Sequence, residues 1–234
     1  MAINISFPLC RIIACKGVYV GRGKHFFKKN LFNFWGENLG EKIELVDLEN
    51  YKDYFKDKFR DFAQSCRIIP KTAGKPINFR FNTIQEQHVK NDWHYRRVVL
   101  KPRQVGFSTL CLLELIFFAS CIENARIGII SYKEDEAVNK LRKVRNIISW
   151  LPEEMGISVS PQRDNANELI ILPTNASVSI ESGAQKNTFR GDTYHFVLAT
   201  EFSHWKFVGE AFSSFESSVP KGGIIIKEST ACGK

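Results

Sequence analysis

The sequence predicts an α/β fold, a mainly parallel sheet sandwiched by helices with a small N-terminal appendage, and three observations carry that prediction. Arg97 to Leu100 is a short apolar run that passes through Lys101-Pro-Arg-Gln-Val-Gly106 into the apolar stretch Leu110 to Ala119, the pattern of a buried strand, a tight turn and a helix. Two more short runs, Arg126 to Ser131 and Tyr194 to Thr200, read as buried strands of a parallel sheet. Between them, Lys133 to Leu151 repeats apolar residues at helical spacing through Val138, Leu141, Val144 and Ile148.

Residues 1 to about 60 mix aromatics with basic clusters such as Arg22-Gly-Lys-His25 and Lys28-Lys29, followed by an amphipathic helical stretch, Leu45 to Phe62. The turn-rich segment Pro70-Lys-Thr-Ala-Gly-Lys-Pro76 marks a boundary between an accessory segment, 1–70, and a main domain, 71–234. Ile77 to His88 is a short extended piece running into a helix capped by Asn82 or Thr83. The 133–151 helix opens on Glu134, Asp135 and Glu136, and a second face carries Lys140, Arg142, Lys143 and Arg145, read as a solvated face or a contact for DNA. Pro152 stops it. Glu168 to Glu181 reads as a hairpin at the sheet margin, Ser182 to Thr193 as a polar loop, and Gly222 to Thr230 as a final buried strand.

At 234 residues the chain can bury about 70% of its unfolded surface, so no metal or disulfide is needed to hold a core. Thirty-three Lys and Arg against twenty-five Asp and Glu give a formal charge of +8, which favours a polyanionic partner. Six cysteines, with no Cys-x-x-Cys pair and no histidine at zinc spacing, fit a reducing compartment. Arg11 and Lys16 interrupt the N-terminal apolar stretch, and Glu114 interrupts Leu110 to Ile122, so neither a signal peptide nor a membrane helix is expected.

The turn at 101–106 has the layout of a phosphate-binding loop. Backbone N–H groups at a helix start have no intrahelical partner and lie at the positive end of the helix dipole, so they hold phosphate oxygens. The usual pattern, G-x-x-x-x-G-K-[ST], is matched in part. Aligned on Gly106, its first glycine falls on Lys101 and its lysine on Phe107, while Ser108 takes the position of the magnesium-ligand hydroxyl. The cation is then expected at Lys101 or Arg103, and the generic pattern is equally open to a plain strand-turn-helix corner. Upstream, Gln85 carries an amide that can clasp an adenine edge. Glu201 follows a strand at the carboxyl edge, where open α/β sheets bind ligands, and can polarise a water for attack on a γ-phosphate; such a residue also serves to start a helix. Ser229 and Thr230 offer hydroxyls able to sense that phosphate.

Lys101-Pro-Arg-Gln-Val-Gly-Phe-Ser-Thr109, Thr200-Glu-Phe-Ser-His-Trp205 and Glu228-Ser-Thr-Ala-Cys-Gly233 resemble, in order and spacing, the ATPase domain of the large terminase subunit of tailed bacteriophages. Phe79-Arg-Phe-Asn-Thr-Ile-Gln85 is similar to the adenine-side segment preceding the loop in that family, and the likeness covers residues 75 to 234. The resemblance implies a P-loop NTPase fold of the ASCE, RecA-like kind. It implies a motor that hydrolyses ATP with magnesium to push double-stranded DNA into a preformed capsid. Such a motor works as a homo-oligomeric ring with a portal protein and a small terminase subunit, in the host cytoplasm and away from membranes.

By that resemblance Gln85 contacts adenine, and Lys101, Arg103 and the Gln104, Val105, Gly106, Phe107, Ser108 and Thr109 loop hold the phosphates, Arg103 also acting in catalysis. Ser108 ligates magnesium, Glu201 orients the attacking water, and Ser229, Thr230 and Gly233 couple hydrolysis to movement. Arg190 is expected to face phosphate or DNA. Three departures accompany the likeness. Thr200 stands where many phosphate-loop ATPases carry the magnesium-shell Asp, though a small hydroxyl residue is familiar there in this family, and Cys232 replaces the usual Asn of the coupling segment. No sequence remains for the nuclease domain into which these proteins continue, so no nuclease activity is expected, and the chain reads as an isolated domain, half of a split gene or a prophage remnant. The competing readings are a helicase-like translocase and a catalytically inactive DNA-binding or assembly module.

Overall fold

The computed structural model describes residues 48–70, 74–91, 94–183, 193–220 and 223–230. The basic-aromatic segment near Arg22, together with Arg190, Cys232 and Gly233, lies outside the described residues. Helix α1 (Leu48–Ser65) leads into β1 (Arg67–Ile68), which pairs antiparallel with β2 (Ile77–Asn78). Then follow α2 (Thr83–Asn91), β3 (Arg96–Lys101), α3 (Phe107–Cys121), β4 (Arg126–Ser131) and α4 (Glu134–Ser149). Strands β5 (Ser158–Asp164), β6 (Glu168–Leu172), β7 (Ala176–Ser182) and β8 (Phe196–Thr200), helix α5 (Val208–Ser218) and β9 (Ile224–Thr230) complete the order.

Seven strands form one sheet in the order β3-β9-β8-β4-β7-β6-β5. The five from β3 to β7 run parallel, and β6 and β5 add an antiparallel margin. The mostly parallel α/β sheet matches the expected fold class. Its central strands are continuous apolar runs because helices cover both faces. On one face α1, α3 and α4 close over Ile226, Leu198, Ile129 and Ile180; on the other α5 closes over Ile225, Val197, Ala199 and Ile130 through Phe215 and Ala211.

Helix α3 lies in the interior and is buried on nearly all sides, which explains a helix apolar around its whole circumference. Its one carboxylate, Glu114, pairs with the buried Arg97 of β3, whose guanidinium also donates to His94 O at 2.9 Å. Phe59 and Phe62 of α1 pack on Phe117 of α3 at ring-centroid distances of 5.7 and 5.3 Å. Helix α1 therefore shares the main core although it precedes the boundary expected near residue 70.

Two local readings change. Strand β5 was not expected, since Pro161, Gln162 and Arg163 give it no apolar alternation; it is an exposed strand that pairs with β6 through an irregular register. Lys140, expected on a solvated face, is buried, because the helical period puts it on the stripe of Ala137, Leu141 and Val144. Its ammonium reaches Glu136 at 3.9 Å, and burial lowers its pKa.

Candidate active site

The turn that opens α3 contains two left-handed residues, Gln104 at φ 66° and Gly106 at φ 71°. At Gly106 a side chain would be strained by that φ and would crowd Gln85 Nε2, which stands 3.0 Å from where a Cβ would be. Gly106 caps the helix without a side-chain acceptor for the first-turn amides, which leaves the arrangement that binds anions. Phe107, standing where the usual loop has its lysine, is buried edge-on against His88 at 4.7 Å. Only its backbone can face a ligand, so the loop's cation has to come from elsewhere.

Gln85 braces this turn. Its backbone N–H donates to Asn82 Oδ1 at 3.0 Å, its Oε1 accepts from the Asn82 N–H at 3.0 Å, and the pair forms a reciprocal capping box at the start of α2. The remaining amide hydrogens go to the loop, with Nε2 3.0 Å from Gly106 O, while Asn82 Nδ2 donates to Val105 O at 3.0 Å. The Gln85 side chain, expected at adenine, is buried and committed to holding the loop in this state.

Opposite the loop lies a charged cluster built on three adjacent strands. Lys101 Nζ, at the end of β3, stands 3.2 Å from Glu201 Oε1 and 2.9 Å from Glu228 Oε2. Glu201 follows β8 with φ 51°, and its Oε2 accepts from both the N–H and the hydroxyl of Thr230, at 3.1 and 3.0 Å. Glu228, on β9 between the other two strands, is fully buried, and its Oε1 accepts from Ser108 Oγ at 3.0 Å.

These contacts set the charges. Burial works to lower the Lys101 pKa, but hydrogen bonding and charge from Glu228, then Glu201, hold it above the ordinary lysine value. Burial pushes Glu201 upward, yet the Thr230 N–H, the Lys101 charge and the Thr230 hydroxyl outweigh it, so Glu201 lies below the ordinary carboxylate value and is ionised at neutral pH.

A hydroxyl network extends from the cluster. Ser203 and Ser229 share a hydrogen bond at 2.6 Å, Ser203 Oγ donates to Thr230 O at 3.0 Å, and Trp205 Nε1 donates to Thr200 O at 3.1 Å. The segment after Glu201 is thereby tied to the end of β9.

Of the residues singled out in the sequence, Lys101, Ser108, Thr200, Glu201, Ser229 and Thr230 lie together at the carboxyl edge of β3, β9 and β8. Arg103 is exposed on the loop. Asn82 was expected only as one of two possible helix caps, and Ser203 and Glu228 received no role from the sequence. The Asn-x-x-Gln spacing of a capping box was available for the first, and a carboxylate in a strand that opens on three isoleucines for the last. Among the described residues no group of three or more His, Cys, Asp or Glu forms a metal cage. Ser108 Oγ and the Glu228 carboxylate offer oxygens of the kind magnesium takes, with the Lys101 ammonium 2.9 Å from the same carboxylate. No described helix is long and apolar enough to cross a membrane.

No family model and no curated protein matches the chain. Among solved structures, its fold is similar to the HK97 bacteriophage large terminase, with a TM-score of 0.58 and 15% identity over 74% of this chain and 37% of that one. It is also similar to a mutant of the large terminase ATPase domain of Thermus phage P74-26, with a TM-score of 0.53 and 19% identity over 66% of this chain and 67% of that one. The chain therefore spans just over a third of the HK97 protein, and what it shares with both is the fold.

Proposed function

We propose that this chain is an ATP-hydrolysing motor domain of the large-terminase kind, which drives double-stranded viral DNA into a procapsid. One observation carries the reading: the loop's Lys101 and the carboxylate of Glu201, a hundred residues apart in sequence, meet at 3.2 Å on one rim of the sheet. The fold shared with two terminase structures and the net charge of +8, suited to a polyanion, support it. A portal protein, a small terminase subunit and a ring of like chains are the partners this reading brings with it.

Phosphoryl transfer to water needs charge neutralised and reactants placed in line more than it needs covalent chemistry. The amides of Phe107, Ser108 and Thr109 hold phosphate oxygens, and exposed Arg103 folds its fork over them. Ser108 would supply a hydroxyl to magnesium, which would neutralise phosphate charge there. Glu201, ionised and tethered to Thr230, accepts a hydrogen bond from the attacking water and orients it. In the described state Lys101 occupies Glu201 Oε1, so Lys101 has to turn toward a phosphate before that oxygen meets water. Thr230 and Ser229, bonded to Glu201 and Ser203, pass the change to the end of β9. Gln85 fixes the loop on its adenine side, Gly233 joins the coupling segment, and Arg190 faces phosphate or DNA.

The test is Glu201→Gln. Steady-state ATP hydrolysis falls about 10²–10⁴-fold, while ATP affinity measured by titration stays nearly unchanged; equal loss of both would remove Glu201 from the water-orienting role. Stimulation by single strands with duplex unwinding would instead mark a helicase-like translocase. Salt-sensitive DNA binding without magnesium-dependent hydrolysis would mark an inactive module.

A further inference from the structure

Glu228 is a fully buried carboxylate on β9, two residues after Ile226 and on the same face of the strand. In the parallel register Glu228 is level with Thr200 of β8, and Ile226 below it is level with Leu198. Paired residues on adjacent strands project to the same face of a sheet. Thr200 Oγ1 in turn donates to Ser131 Oγ on β4 at 3.1 Å. A polar row, Glu228, Thr200 and Ser131, therefore caps the apolar row Ile226, Leu198 and Ile129 at the rim that carries the loop.

Burying a carboxylate there is costly unless something uses the charge. Lys101 uses part of it, at 2.9 Å from Oε2, but no aligned hydrogen bond forms to that atom. Oε1 faces the Ser108 hydroxyl at 3.0 Å. In phosphate-loop NTPases that hydroxyl and an acidic residue from a neighbouring strand hold magnesium together. Here the position of that acid is taken by Thr200, while a carboxylate stands one strand spacing away, about 4.8 Å, on the same face and already against the hydroxyl.

We infer that Glu228 is the magnesium carboxylate of this site: the acidic group has moved sideways from the Thr200 position to β9, where it and Ser108 hold the ion against the triphosphate. The inference rests on the loop being a nucleotide site. It accounts for a charge in the core and for a hydroxyl at position 200.

The experiment compares ATP affinity with and without Mg2+, by equilibrium titration, for the wild-type chain, Glu228→Gln, Glu228→Asp and the double variant Thr200→Asp/Glu228→Gln. Bound Mn2+ is read in parallel by electron paramagnetic resonance. Glutamine is isosteric and keeps an acceptor for Ser108, and Glu228→Asp retains the charge while withdrawing the oxygens. The expected result is a wild-type affinity that tightens with Mg2+, a loss of that gain by tenfold or more in both single variants, and its recovery, with the Mn2+ signal, in the double variant. A gain that persists in the single variants overturns the assignment, as does metal-free affinity that rises in Glu228→Gln with the Mg2+ gain intact, because Glu228 would then serve only to neutralise Lys101. A wild-type chain that binds ATP under neither condition overturns the nucleotide site itself, and the assignment with it.

Discussion

Arg97 and Lys101 lie on the same face of β3, and both are buried cations paired with carboxylates, yet they stand in different kinds of place. Arg97 is enclosed under α3 with Glu114 and a backbone carbonyl. Lys101 is at the strand's end, shared between Glu201 and Glu228 beside a loop of outward-facing amides. The first pair has no route to a ligand and pins a helix to a strand. The second shares one cation between two carboxylates at the rim, so a third anion that draws the ammonium away leaves buried Glu228 needing another cation, such as the metal inferred above. Burial alone does not separate structural from functional ion pairs; the number of partners and the position along the strand do.

The comparison can be broken most severely at Arg97. Arg97→Met takes the counter-charge from buried Glu114 and should cost about 3–5 kcal/mol in a urea melt; an unchanged midpoint would show the inner pair to be dispensable. Lys101→Met takes the counter-charge from buried Glu228 and so also lowers stability, though Glu201 keeps its Thr230 bonds; unlike Arg97→Met it should in addition weaken ATP binding by about 1.5–3 kcal/mol, the worth of a hydrogen bond to a charged group. A large stability loss with unaltered ATP affinity would make the outer pair as structural as the inner one.

The smallest expected effect is on pH dependence. Glu201 has a lowered native pKa, so its stabilising contribution is present above the ordinary value of 4.5 and is lost as pH falls through the native value. Lys101 is raised, so its contribution is present below 10.5 and is lost as pH rises through its native value. The stability gap between wild type and Glu201→Gln should therefore shrink on acidification below 4.5, followed by thermal melts. A gap constant from neutral pH into acid would remove the linkage.

Much of this architecture was legible in the sequence because burial on both faces writes strands as short apolar runs, as in residues 127–130 and 224–226. Strand β5 was not legible, since an exposed margin strand has no apolar face to show. The loop and Glu201 could be read from local pattern, but not that β9 inserts between β3 and β8, a fact of neighbour order. That insertion is what brings Glu228 and Thr230 to the site. Gln85 was legible as a residue of interest; its bond to Gly106 O depends on the left-handed turn and so appears only in three dimensions.

The central claim is that the turn between Lys101 and Ser108 grips a triphosphate through its backbone. The most direct measurement is an amide-resolved NMR titration of the chain with a non-hydrolysable ATP analogue and Mg2+. The account predicts saturable shifts concentrated on the Gly106, Phe107, Ser108 and Thr109 amides, with the Glu201 and Thr230 amides following. A titration in which those amides stay still, or in which the shifts gather at the β5–β6 margin, would contradict it.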